Sequence, residues 1–194
     1  MDREIKGNNL AGHSGYRGRV ERDYYATPPE ATVALLEVEE LQGKIWEPAC
    51  GGGHISEVLR EKGLDVISTD LIDRGYKYMQ GKVDFLESEC LGDTDIIITN
   101  PPFKYMLEFA QKGIEVASQK VILFGKIQFL EGKSRQVFFK NSPLKYVYVF
   151  SRRINPWRNG NPLDENGKAW CSTMCFAWFV WYKNYNGEPV IRWL

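Results

Sequence analysis

Asn100, Pro101, Pro102 and Phe103 stand directly behind Thr94-Asp95-Ile96-Ile97-Ile98-Thr99, whose β-branched run reads as a fully buried strand. Two prolines at a strand end make the backbone stiff there, because each fixes its own φ and restricts the residue before it. An Asn side-chain oxygen and a neighbouring backbone carbonyl, held in fixed directions, can accept both hydrogens of a planar amino group. Two such bonds pull the nitrogen toward tetrahedral geometry and aim its lone pair at an electrophile, with no strong base required. Phe103 can stack on the ring that bears the amine. The tip therefore suits alkylation of an aromatic amine.

Three other predicted strand ends carry unusual residues. In "EPACGGGH", Gly51, Gly52 and Gly53 allow a tight turn and close approach of a ligand ahead of a helix amino terminus. The spacing is neither the dinucleotide fingerprint nor a Walker loop, since Ser56 takes the last glycine position and no Walker lysine follows. Asp70, about 20 residues on, is placed either to grip a ribose hydroxyl pair or to cap a helix. Asp84 and Phe85 put a carboxylate beside an apolar plate, which suits an adenine amino group and ring, or a strand end with one core residue.

These ends belong to an alternation of strands and helices along residues 23–194. Strands are expected at 44–47, 64–70, 81–87, 94–100, 120–125 and 145–150, and helices at 27–39, 55–63, 104–117 and 127–141. Thr27 is placed to cap the first helix. The Asn186-Gly187 turn between "STMCFAWFVWYKN" and "EPVIRWL" predicts a terminal hairpin. The fold class is α/β: one domain with a doubly wound, mostly parallel sheet and an antiparallel carboxyl-terminal hairpin. Residues 1–22 read as a flexible arm. Residues 151–170, rich in Pro, Gly and Asn, form a loop longer than most, suited to recognising a substrate.

The 194 residues carry no net charge, but the charge is divided. Residues 30–99 hold 15 acids against 6 bases, and residues 119–153 hold 8 bases against Glu131 alone. The second segment is either a phosphate-binding surface or a solvated face. Lys126, Lys133, Arg135, Arg152, Arg153 and Arg158 are the candidate nucleic-acid contacts. Cys50, Cys90, Cys171 and Cys175 are scattered and the chain has two histidines, so no metal site is expected. No apolar run has the length of a membrane span and no signal-peptide core is present, so the expected location is the cytoplasm.

The order "DYYATPP", "EPACGGGH", "STDL", "VDFLE", "ITNPPF" resembles the class I S-adenosylmethionine-dependent methyltransferases over residues 23–194. Within them it is most similar to small phage- or prophage-type DNA adenine methyltransferases. The resemblance implies a Rossmann-like fold, S-adenosyl-L-methionine as cofactor, and DNA as partner. It places Tyr25, Ala26 and Thr27 near the methionine end of the cofactor. Glu47, Pro48, Ala49, Gly51 and Gly53 form its pocket, Asp70 with Leu71 holds the ribose, and Asp84 and Phe85 hold the adenine. Asn100, Pro101, Pro102 and Phe103 are then the catalytic set. Two departures stand out: Cys50 and His54 flank the glycines, and no sizeable target-recognition domain follows the catalytic motif. Readings that compete are methylation of RNA or of a protein glutamine amide, and a degenerate nucleic-acid binder without activity.

Overall fold

The computed structural model describes residues 24–89 and 92–194. The expected arm at 1–22 and Cys90 lie outside the described residues. Among the described residues, nine strands and four α-helices follow one another as β1 (Tyr25–Ala26), α1 (Pro29–Leu36), β2 (Ile45–Glu47), α2 (His54–Glu61), β3 (Val66–Ser68), β4 (Ile96–Thr99), α3 (Met106–Val116), β5 (Lys120–Lys126), α4 (Lys133–Asn141), β6 (Leu144–Val149), β7 (Trp157–Arg158), β8 (Phe176–Tyr182) and β9 (Val190–Trp193). Seven of the strands form one sheet in the order β3-β2-β4-β5-β8-β6-β9. All run parallel except β8, which pairs antiparallel with β5 and β6. The α/β class and the mostly parallel, doubly wound sheet are as expected.

Strand β4 explains the centre of the sheet. All four of its residues are buried, and it pairs on both edges, Ile96 with Ile45 of β2 and with Lys120 of β5. The alternation of strand side chains then divides the core between two faces. Ile45, Ile96, Ile98, Phe124, Trp178 and Val180 pack with Leu35 of α1 and Leu59 of α2. Trp46, Ile97, Leu123, Phe179 and Trp181 pack on the other side with Phe109 of α3 and Phe138 and Phe139 of α4.

Four sequence expectations are corrected. The terminal hairpin is absent, because β6 lies between β8 and β9, and β9 pairs parallel with β6. Strand β8, "FAWFVWY", is apolar on both faces and needs neighbours on both edges, so it inserts into the sheet; β9, exposed along its length, takes the edge. The strand expected at 81–87 contracts to a single bridge between Asp70 and Lys82. Beyond Val83 the Asp84 side chain accepts the Leu86 amide at 3.0 Å and its carbonyl accepts the Ser88 amide at 2.9 Å, so the chain turns. The helix expected at 127–141 is interrupted at Gly132, whose φ of +120° no helix tolerates, leaving a 3-10 turn at Ile127–Leu130 and then α4. Finally, Thr27 makes no cap: α1 starts at Pro29 without a side-chain cap, and among the described residues the buried Thr27 hydroxyl has no partner.

The chain order places the reversal of winding between β2 and β4: the strand that follows β2 lies on one side of it, and β4 on the other. In open α/β sheets that is where a crevice opens at the carboxyl ends of the strands.

Candidate active site

A cavity of about 740 Å³ occupies this crevice. That volume is within the range of small-molecule and cofactor sites. The glycine turn forms one wall. The Cys50 amide bonds to the Thr69 carbonyl at 2.9 Å and the Gly53 amide to the Cys50 carbonyl at 2.7 Å, which folds the turn tightly. Gly51 and Gly53 have φ of +55° and +82°, and a Cβ on them would meet the Tyr24 ring at 2.5 Å and the Tyr76 ring at 2.3 Å. Both positions therefore require glycine.

Two buried carboxyl groups brace the turn from behind. Asp70 accepts the Gly51 amide on Oδ2 and the Ile72 amide on Oδ1, each at 2.8 Å. It caps no helix. It ties the end of β3 to the glycines, with oxygen lone pairs left for a ligand. Glu47 accepts the Ser56 amide at 2.9 Å and the Ser56 hydroxyl, and that hydroxyl lies 2.6 Å from the Ser68 hydroxyl. Burial pushes the Glu47 carboxyl up to about 8, against the opposing bonds from Ser56. Its raised value means the folded state binds a proton that the unfolded chain has released between pH 4.5 and about 8, so stability falls as pH rises through that window and is level above it. Glu47→Gln should remove this slope, which amounts to as much as about 1.4 kcal/mol per pH unit. Urea titrations from pH 5 to 9 on both proteins measure it. A parent curve that is flat or rises across the window would mean the carboxylate is ionised in the fold.

The opposite wall carries the Asn-Pro-Pro-Phe tip. Asn100 directly follows β4, and its Nδ2 donates to the Tyr25 carbonyl at 2.7 Å. This bond orients the carboxamide, and among the described residues its Oδ1 has no donor. Pro101 is buried, Pro102 turns the chain, and Phe103 opens a 3-10 turn to Tyr105 that leads into α3. The Phe103 ring lies nearly parallel to that of Tyr25, with centroids 6.1 Å apart, and is tilted against Phe176 at 5.9 Å. Lys126, at the end of the neighbouring β5, holds its ammonium 4.7 Å from the centre of the Phe103 ring.

Tyr25, Ala26, Thr27, Glu47, Pro48, Ala49, Gly51, Asp70, Leu71, Asp84, Phe85, Asn100 and Pro102 all line this one cavity. Gly53, Pro101 and Phe103 do not. Gly53 sits behind the turn, Pro101 is buried in the tip, and Phe103 faces the Tyr25, Phe176 and Lys126 group beside the cavity. Phe85 is only 2% exposed, edge-on to Trp46 at 5.2 Å and tilted against Phe109 at 4.9 Å. It is floor rather than an open plate.

The lining residues that sequence reasoning missed include Tyr24, His54, Arg74 and Tyr105. Tyr24 accepts the Gly52 amide on its hydroxyl at 2.8 Å and lies under the Arg74 guanidinium, 4.1 Å from its ring centre. The pair Tyr24-Tyr25 was a visible signal; nothing in the spacing singled out Arg74. Burial lowers the pKa of His54 and so keeps its ring neutral at pH 7, and burial raises the Cys50 thiol, which makes it no nucleophile. Among the described residues no group of three or more His, Cys, Asp or Glu could hold a metal, and no helix is long and apolar enough to cross a membrane.

The basic segment is spread over two ends of the sheet. Lys120 begins β5 and is spent on the buried Glu39, 2.9 Å away, which also accepts the hydroxyls of Tyr148 and Tyr182. Lys145 stands second in β6 and lies 4.0 Å over Tyr182. Both are remote from the crevice, because β5 and β6 run toward it. At the crevice end stand Lys126, Lys133 at the start of α4, and Arg152 and Arg153 just past β6. Arg135 donates to the Glu131 carbonyl at 2.6 Å, Arg153 donates to the Ser172 carbonyl, and Arg158 lies in β7, paired with Tyr25.

No family model and no curated protein matches the chain by sequence. Solved structures do match by shape. A Pyrococcus horikoshii protein assigned as an RNA methyltransferase superposes with a TM-score of 0.60 at 17% identity, covering 91% of this chain and 93% of its own. The fold is that of the methyltransferases. The 23S rRNA methyltransferase ErmE aligns with a TM-score of 0.57 at 12% identity, covering 87% of this chain and 72% of that one. The M protein of the type I restriction enzyme EcoKI aligns at 0.53 and 14%, covering 84% of this chain and 44% of its own length.

Proposed function

We propose that the chain transfers a methyl group from S-adenosyl-L-methionine to the exocyclic amino group of adenine in DNA. The observation that carries this reading is the Asn100 carboxamide, held by its bond to the Tyr25 carbonyl, its oxygen without a donor among the described residues, at the rim of a cofactor-sized cavity. The cavity fits the cofactor on three counts. The glycine turn brings the bare Gly51 backbone to the cavity wall, Asp70 keeps lone pairs beside it, and among the described residues the buried Thr27 hydroxyl on the wall has no partner. When bound, the cofactor supplies a methyl on a positively charged sulfur.

In this reading Asp70 and Leu71 meet the ribose, and Asp84, whose Oδ1 accepts the Leu86 amide and whose second oxygen has no partner among the described residues, meets the adenine amino group. The Asn100 oxygen and the Pro101 carbonyl accept the hydrogens of the target amine, and Phe103 supports its ring. The target base has to leave the duplex stack to reach them. Lys126, Lys133, Arg152 and Arg153 then meet phosphates, with residues 151–170 as the recognising loop. An RNA acceptor is the second reading, favoured by the likeness to the Pyrococcus protein and to ErmE.

Titration calorimetry with S-adenosylmethionine, followed by sequencing of modified adenine in DNA from cells making the protein, tests the proposal. Heat together with methyladenine supports it; heat with modified RNA alone moves the acceptor; no heat removes the methyltransferase reading. Asp70→Ala should weaken cofactor binding about 10- to 100-fold, the loss that goes with a charge-assisted hydrogen bond. It should also lower the melting temperature, since the Gly51 amide loses its acceptor. Lower stability with unchanged affinity would make Asp70 a brace for the turn and nothing more.

A further inference from the structure

Above the cavity, the segment between β6 and β8 touches the glycine turn through residues that the proposed chemistry does not use. Strand β7 pairs with β1, Arg158 opposite Tyr25 and Trp157 opposite Ala26. The Asn159 amide donates to the Tyr24 carbonyl at 3.1 Å. His54, the first residue of α2, lies beside Gly160 and meets the Trp157 ring edge-on at 5.5 Å. Tyr24 and His54 both line the cavity, and both stand where a side chain on Gly160 would reach them.

The turn itself is held in an unusual shape. Asn159 has φ +53°, the one positive value among the described residues other than glycine, and Gly160 follows at +75°. The Gly160 amide closes the turn on the Trp157 carbonyl at 3.2 Å. Asn tolerates this region better than most residues, yet it needs support from its surroundings to stay there. That support comes from Tyr24, and so from a residue of the cavity wall.

We propose that Tyr24, His54, Trp157, Asn159 and Gly160 form a clasp through which an occupied cofactor cavity orders the 157–160 turn and sets residues 151–175 in position for the nucleic acid. The inference rests on the function proposed above. A ligand in the cavity lies against Tyr24 and His54 and restrains them; restraining them restrains the turn they hold. Cofactor and nucleic acid then bind with positive coupling, and linkage makes the coupling equal in both directions. Strand β1 is the hinge of the arrangement, since the Tyr25 carbonyl also receives Asn100. The residues of the clasp are positioning residues and touch no reacting atom.

Amide hydrogen exchange and titration calorimetry test this. Adding S-adenosylmethionine should slow exchange of the 157–160 peptide at least about fivefold, with the exposed 163–169 stretch unchanged. Saturating duplex DNA should tighten cofactor binding by about fivefold, and cofactor should tighten DNA binding by the same factor. Asn159→Gly keeps both the amide and the backbone freedom, and should behave as the parent. Asn159→Pro loses the donor and cannot adopt a positive φ. Its coupling factor should fall to about 1, and by the same linkage cofactor affinity without DNA should weaken by about fivefold, the factor by which the cofactor orders the turn. Cofactor heat without slower exchange at 157–160 overturns the clasp, as does full coupling in Asn159→Pro. Absence of cofactor heat in the folded parent fails the proposed function first, and the clasp falls with it.

Discussion

Asn100→Ala should lower turnover by a factor of about 10² to 10³, the range for losing one preorganised hydrogen bond that strengthens in a transition state. The affinity for S-adenosylmethionine should change by less than about threefold, because the contribution of the carboxamide oxygen grows only as the amine nitrogen becomes tetrahedral. The fold supplies a second consequence. Without Nδ2, the Tyr25 carbonyl loses its side-chain donor, so β1 should loosen relative to the tip. Asn100→Asp separates the two effects. It keeps an acceptor for the amine, adds a negative charge, and still cannot donate to Tyr25. If β1 position dominates, Asp and Ala will be equally poor; if the acceptor dominates, Asp will retain part of the rate. Single-turnover assays with a methyl-labelled cofactor read the rate, and calorimetry reads the binding. Near-normal turnover in Asn100→Ala would end the role proposed for the tip.

The parts of this site that were legible in the sequence share one property: each is a local consequence of backbone chemistry. Gly51 and Gly53 sit at positive φ because a turn of that tightness admits nothing else, and a glycine cluster announces such a turn. The prolines after Asn100 announce a rigid strand end in the same way. The buried run at 96–98 announces a central strand, and β4 is central. What could not be read depends on contacts between distant segments. Phe85 read equally as an apolar plate or as a core residue, and only its packing against Trp46 and Phe109 shows how deeply it is buried. Strands β8 and β9 looked like a hairpin because a turn joins them, but the burial of β8 on both faces draws β6 between them. Tyr24 and His54 act on a turn more than 100 residues away in the chain, and no spacing rule reaches that far. Charge counting failed for a related reason. It treated residues 119–153 as one surface, while the parallel direction of β5 and β6 sends their first lysines to one edge of the sheet and their following bases to the other.

That division sharpens the expectation for nucleic-acid binding. Lys120 is held by Glu39 and Lys145 by tyrosine rings at the far edge, so charge reversal there should not alter binding to DNA. Arg152 and Arg153 are exposed at the crevice end, where β6 delivers the chain into the 151–175 segment. Reversing both to Glu should weaken binding to duplex DNA of every sequence. Each phosphate contact contributes a slope of about −0.9 to the plot of log affinity against log salt, so loss of two contacts should flatten that plot by roughly 1.8. Affinity for the cofactor should stay as it was, because neither arginine lines the cavity. Arg153 also donates to the Ser172 carbonyl, and its reversal alone could shift the segment. Arg152→Glu by itself therefore serves as the cleaner arm, with an expected flattening of about 0.9. Fluorescence anisotropy from 50 to 300 mM salt measures the slopes. A double reversal that lowers stability while leaving the slope unchanged would mean that these arginines serve the fold, and that nucleic acid approaches across Lys126 and Lys133 instead.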